Sequence, residues 1–413
     1  MQNRLALSFI LATVLIDHIG IGIIFPIMPD LMREVTQTDI SAAALWGGLL
    51  ATVFAVMQFI CGPMVGFISD RCGRRPVMLV ALAVMALVFI ILALAQSIWL
   101  LVIGRIVAGA TAATYATANA CVADISPPEQ RAKNFGLILA AAGIGFIAGP
   151  LIGGSSTGWS TRAPFWIAAG IAAANAAFGY VVLPESLAAD KRRNFTLARA
   201  NPFASFRAIG TLPGLNRYLL IMFVFTTCHQ AYPAVWTFFG AERFGWNARW
   251  IGVSLAVFGL TMALAQVAAI GPATRAWGER RTATCGLGLD ILSFGFYGFV
   301  RSGFLALMFL PVTGLASIAG PALNGLMANA TPDTQQGALQ GVIAAVSAVA
   351  MGLTPMIFTT VFWAFTHDGA PVYLPGAPFL LSGALMVFCV FLLAAPQPAP
   401  QAGTTSSTEE GIR

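Results

Sequence analysis

Gly66-Phe67-Ile68-Ser69-Asp70-Arg71-Cys72-Gly73-Arg74-Arg75 is answered 205 positions later by Gly271-Pro272-Ala273-Thr274-Arg275-Ala276-Trp277-Gly278-Glu279-Arg280. Gly66 meets Gly271, Gly73 meets Gly278 and Arg75 meets Arg280. The same offset pairs Ser126-Pro127 with Thr331-Pro332, Gln130 with Gln335, Gly136 with Gly341 and Pro150 with Pro355. So many matches at one ungapped offset mark a duplicated unit. Each polar stretch sits between long apolar ones, so the unit is a run of apolar segments joined by short basic loops.

Composition says where such a unit lives. Of 413 residues, 58% are apolar and 9% are charged, whereas soluble domains carry roughly 25% charged residues. That excludes a water-soluble enzyme and predicts an all-α membrane protein. About 20 apolar residues cross a bilayer as a helix. Twelve segments of that length are predicted: 5–28, 42–67, 77–95, 98–122, 135–157, 164–183, 218–240, 251–272, 282–300, 304–328, 338–364 and 375–395. The repeat divides them six and six. The expected organisation is a six-helix bundle over 1–183, a linker over 184–216, a second bundle over 217–395 and a disordered tail over 396–413. A duplicated six-helix unit is a transporter architecture, with the substrate path between the halves near mid-membrane.

Twelve spans place both termini on one side. With that side taken as cytoplasmic, 16 of the 22 Lys and Arg residues fall there, five (Arg33, Arg162, Arg243, Arg249, Arg301) fall opposite, and Arg105 falls inside a span. The bias follows the positive-inside rule, and the net charge of +6 therefore reports topology, with no nucleic-acid partner expected. The six cysteines sit in or beside apolar runs without CxxC spacing and read as thiols, not as disulfides or metal ligands. No nucleophile–base pair, P-loop or metal-ligand cluster supports an enzyme.

Charges inside a membrane cost roughly 2.5–3.5 kcal/mol each on insertion scales and default to function. Three lie well inside the spans: Asp17, Arg105 and Asp290. Apolar surroundings disfavour an ionised carboxyl, which suits Asp17 to a proton or a cationic substrate. Asp290 has Ser293 and Tyr297 at i+3 and i+7, giving one polar helix face. Arg105 stays protonated and is expected to interact with Asp17 or with groups whose protonation changes. Gln58, Gln266 and Asn324 are amides inside spans, with Thr313 and Ser317 on the same stripe as Asn324. His18 and His229 read more readily as packed residues. Asp70, Arg71 and Arg74, framed by Gly66 and Gly73, read as a latch between helix ends. Gly149-Pro150 is expected to break the fifth segment, since proline removes a donor and clashes with the preceding turn.

Several of these stretches resemble a known family. Residues 66–76 are similar to the loop signature of the major facilitator superfamily, and Gly104-Arg105-Ile-Val-Ala-Gly109 to its fourth-helix arginine signature. Gly145-Phe-Ile-Ala-Gly149-Pro150-Leu-Ile-Gly153-Gly154 resembles the fifth-helix signature of its drug/proton antiporters. Residues 15–22, 233–236, 243–247 and 335–341 resemble the Gram-negative tetracycline/proton antiporters. The resemblance covers nearly the whole chain. It implies proton-coupled export of amphipathic drugs from a bacterial inner membrane, by a monomeric chain, with Asp17, Asp290 and Arg105 in proton coupling. Gln58 and Gln266 match cavity-facing positions, so Asp17, Gln58, Arg105, Gln266, Asp290 and Asn324 form the expected drug site. No cofactor is implied; a divalent cation would enter only as part of a chelated substrate. Two positions depart from the pattern: some tetracycline exporters have an acid where Val88 stands and a histidine where Met262 stands. Another small organic solute, or a sensor on the same fold, therefore stays open.

Overall fold

The computed structural model describes residues 2–112, 114–187, 190, 192 and 214–395, and its regular elements there are all helical. The expected tail, and most of the expected linker, lie outside the described residues. Among the described residues, eleven helical stretches are long and apolar enough to cross a membrane. One of them, Ala248–Phe299, has 52 residues. At about 1.5 Å per residue it is more than twice the length that a bilayer core requires. Gly278, at φ 75° and ψ 162°, divides it, which restores twelve crossings.

The glycine that makes this division has a twin. Gly73, its partner at the offset of 205, has φ 104° and ψ 157° and separates the second span (Ile40–Cys72) from the third (Arg74–Leu94). Both fall in a region of backbone space open essentially to glycine alone. The second span runs five residues past its expected end because the helix continues through the loop signature until Gly73 stops it. Arg75 and Arg280 then do the same work in each half. Arg75 donates to the carbonyl of Tyr180 at 2.7 Å, near the end of the sixth span (Ala163–Val182). Arg280 donates to Leu393 at 2.7 Å, near the end of the twelfth (Ala377–Ala394). Helix C-termini leave carbonyls without intrahelical partners, and a guanidinium suits them.

Helix irregularities recur at the offset too. The fourth span is interrupted after Thr111, before Thr114–Ile125, and the tenth after Ala316, before Ala319–Asn329. Ala112 and Ser317, at these interruptions, are 205 apart. The first span tightens into a 3-10 turn at Phe25–Ile27, and the seventh is interrupted at Gln230 between Asn216–His229 and Ala231–Phe244. Irregular backbone at membrane depth is tolerated where protein covers it or where it lines a cavity. The fifth span corrects one expectation: Pro128–Ser156 is a single unbroken helix through Pro150, and Gln336–Ala364, the eleventh span, likewise passes through Pro355.

The two halves meet through the second and eleventh spans and through the fifth and eighth (Ala248–Leu264 and its continuation). A Cβ on Gly48 would strike the Thr359 side chain, and one on Gly154 would lie 2.5 Å from the Ala248 carbonyl. Eighteen residues make about five helical turns, so Gly66 shares the face of Gly48, and Gly136 shares that of Gly154. A Cβ on either Gly66 or Gly136 would find nothing within 4 Å. Faces that touch at one end have therefore parted at the other, and the wedge opens toward the end that carries Gly73 and Gly278.

Gly73→Ala and Gly278→Ala should each cost about 1–3 kcal/mol through backbone strain. The Gly73 change should cost more, because its Cβ would also meet the Glu185 carboxylate, whereas nothing stands near Gly278. Thermal melting of the purified variants checks the order.

Candidate functional site

The fifth span builds the site by having two glycine faces. Gly145, Gly149 and Gly153 stand at i, i+4 and i+8, and a Cβ on each would come 2.5–2.6 Å from the carbonyls of Leu15, Ile19 and Ile23 in turn. Small residues at this spacing let membrane helices approach backbone to backbone. They seat the first span and fix the height of Asp17. On the other face, Gly154 and the Pro150 carbonyl lie against Ala248 and Gly252 of the eighth span. One helix thus holds the first span and joins the halves.

Asp17 is 13% exposed. His18 Nδ1 lies 3.9 Å from its Oδ2 but donates instead to the Val14 carbonyl at 2.9 Å, when protonated there. The neighbouring ring is therefore held along its own helix. Arg105 Nε is buried with no hydrogen-bond partner, and the guanidinium carbon stands 5.9 Å from the centre of the Phe54 ring. Among the described residues Arg105 forms no ion pair, so the expected contact with Asp17 is not made in this state.

The three amides divide. Gln58 donates to the Ala112 carbonyl at 3.4 Å, covering an acceptor at the interruption of the fourth span. Gln266 lies in a π-helical turn, Ala265–Ala269, a feature that often marks functional sites. Gly252, Gly259 and Gln266 are spaced by seven, about two turns. Gly252 and Gly259 pack on Pro150 and Ile147, so Gln266 continues the face that looks across to the fifth span, at the level where the halves have parted, and it is exposed there. Asn324 Oδ1 and Ser317 Oγ are buried without hydrogen-bond partners among the described residues. Thr313 donates to the Tyr297 hydroxyl at 3.3 Å, so it is tied to the ninth span.

Asp290 is 0% exposed, as are Ser293 and Tyr297. The polar face of the ninth span is turned into the helix bundle, not toward the wedge. The Asp290 carboxylate meets His229 Nε2 at 3.0 Å through Oδ2, and its Oδ1 has no partner. By sequence His229 reads as a packing residue, whereas the structure places it on an acid. The available signal was its company: one of three histidines, in a span, in a half whose only deep charge is an acid.

At the basic end Arg74 pairs with Asp70 and with Asp124 (3.3 Å), and its backbone N–H donates to Glu185 at 2.9 Å. Arg71 is exposed. All these groups lie in the first six spans or just after them, so in this state the cluster joins no residue of the second half among the described residues. The offset counterparts of Arg74 and Asp124 are Glu279 and Asn329, and Asn329 donates to Glu279 at 2.7 Å. The tether is kept and its charges are changed.

The model of the Major Facilitator Superfamily matches residues 10–355. The chain belongs to the major facilitator superfamily. This transporter is 38% identical to the class C tetracycline resistance protein of Escherichia coli over 93% of this chain and 98% of that one. It is 35% identical to the class G tetracycline resistance protein of Vibrio anguillarum over 84% and 88%. The crystal structure of the human organic anion transporter MFSD10 superposes with a TM-score of 0.67 at 24% identity, covering 95% of this chain and 99% of that one, a likeness of fold.

In this transporter Gly149→Val should destabilise the fold by about 1–3 kcal/mol through overpacking and lower transport with it. Gly136→Val, on the open face, should leave melting within about 0.5 kcal/mol. Paired melting curves and transport rates read both.

Proposed function

We propose that the transporter exports tetracyclines, or closely related amphipathic drugs, across a bacterial cytoplasmic membrane in exchange for protons. The observation that carries this is the relation to tetracycline resistance proteins over nearly the full chain, joined to the presence of acids at positions 17 and 290 inside the membrane. With the basic end in the cytoplasm, the wedge is the inward-open state. Drug enters past Gln58 and Gln266. Asp17, partly exposed on the first span, holds either a proton or the positive charge of a drug or its divalent-metal chelate. Exchange of one for the other is the coupling. Asp290 takes a second proton deeper in the other half. The membrane potential supplies about 2.3 kcal/mol per charge per 100 mV, enough to bias a binding step appreciably.

Asp70, Arg71 and Arg74 act as the latch of the outward-open state. In the inward-open state they turn back on their own half, through Asp124 and Glu185. Val88 and Met262 favour a substrate range shifted from that of the relatives, within the same class of small organic solutes.

Expression in a pump-deficient host should raise the inhibitory concentration of at least one tetracycline several-fold. Asp17→Asn should return it to the level of the empty vector at equal membrane abundance. Inverted vesicles should release protons on drug addition for the native chain and not for the variant. Undiminished resistance in Asp17→Asn would refute the coupling role, and a native chain that protects against no tetracycline would refute the substrate class.

A further inference from the structure

We infer that His229 is the proton relay that connects the buried Asp290 to solvent; the inference rests on the reading of Asp290 as a proton carrier and names the group through which it is loaded and emptied. A carboxyl that carries protons needs a route for them. Asp290 is 0% exposed. Among the described residues its Oδ1 has no hydrogen-bond partner, nor has the buried Oγ of neighbouring Ser293. Among the described residues the polar group bonded to it is His229 Nε2, at 3.0 Å. The side chain of His229 is 22% exposed, and its Nδ1 makes no hydrogen bond among the described residues. One ring nitrogen therefore faces the carboxyl while the other is left for water.

The surroundings hold the ring in this role. Phe225 lies against it with centroids 4.3 Å apart, and Tyr232 and Phe294 meet it edge-on at 6.3 and 6.4 Å. The titratable groups nearby are Asp290 itself, Tyr232, Tyr297, Cys228 and Cys389, and no lysine or arginine is among them. His229 is the last residue of its helix before the interruption at Gln230. Imidazole is the side chain whose ordinary titration range includes neutral pH.

The step balances without a further reactant. Protonated Asp290 gives its proton to His229 Nε2, leaving a carboxylate beside an imidazolium. The Nδ1–H proton then passes to water, leaving a neutral ring with its hydrogen on Nε2, donated to the carboxylate. Loading runs in reverse, with water as the proton source at Nδ1.

The test uses His229→Gln, whose amide can still donate to the carboxylate but cannot relay a proton at neutral pH. The purified full-length chain is transferred from H2O to D2O, and the carboxyl stretching band of Asp290, assigned by its loss in Asp290→Asn, is followed by infrared spectroscopy. The expected result is at least tenfold slower hydrogen–deuterium exchange of that carboxyl in His229→Gln, with unchanged melting. Drug uptake driven by a pH gradient should fall at least tenfold while drug–drug exchange, which moves no net proton, is kept within twofold. Exchange of the carboxyl at the native rate in His229→Gln would overturn the relay and leave His229 a packing residue, as would absence of a protonated Asp290 band between about pH 4 and pH 9. Because the infrared readout needs no drug, a failure of the substrate assignment is seen separately, as a native chain that transports no tetracycline.

Discussion

The molecule depends on how closely backbones can approach along the fifth span. Lipid tails offer helices no hydrophobic reason to associate, so association comes from van der Waals contact and interhelical hydrogen bonds. Gly145, Gly149 and Gly153 bring the first span to backbone distance, and Gly154 does the same for the eighth. Side chains on both faces would push Asp17 away from its place and the halves away from each other. The proline between these glycines does not break the helix. Its carbonyl instead lies at the contact with Gly252, so residues 145–154 form a joint between the halves.

Symmetry ends at the charges inside the membrane. The twin glycines 73 and 278, the arginines 75 and 280 on the final span of each half, and the interruptions at Ala112 and Ser317 all obey the offset of 205. So do Arg131 and Gln336, which donate to the carbonyls of Ser126 and Thr331. At the same offset Asp17 meets Met222, Arg105 meets Leu310 and Asp290 meets Met85. Duplication fixed a scaffold that each half can build alone. On the proposed mechanism these charges act once per cycle and need no copy, and a second buried charge would add its desolvation cost without a partner.

Much of this was legible in residue order. The apolar runs, the repeat and the basic bias are local or statistical properties, and they gave the number of crossings and the family resemblance. What failed was whatever depended on helix continuation or rotation. Pro150 was read as a break because proline removes one donor, yet one lost bond does not end a helix held on two sides by neighbours. The polar face of the ninth span was found correctly, at Asp290, Ser293 and Tyr297, but periodicity does not say whether such a face looks into a cavity or into a bundle.

Sequence by itself determined that the chain crosses a membrane, that it is a duplicated unit, and which three charges stand inside its spans; each follows from composition and spacing against the free energy of a charge in hydrocarbon. The tertiary structure alone decided the company those charges keep. Asp290 reached His229, 61 residues away, and Arg105 was left without Asp17. The physical reason is that a hydrogen bond depends on a few tenths of an ångström and an angle, and those are set by how helices from distant parts of the chain rotate against one another.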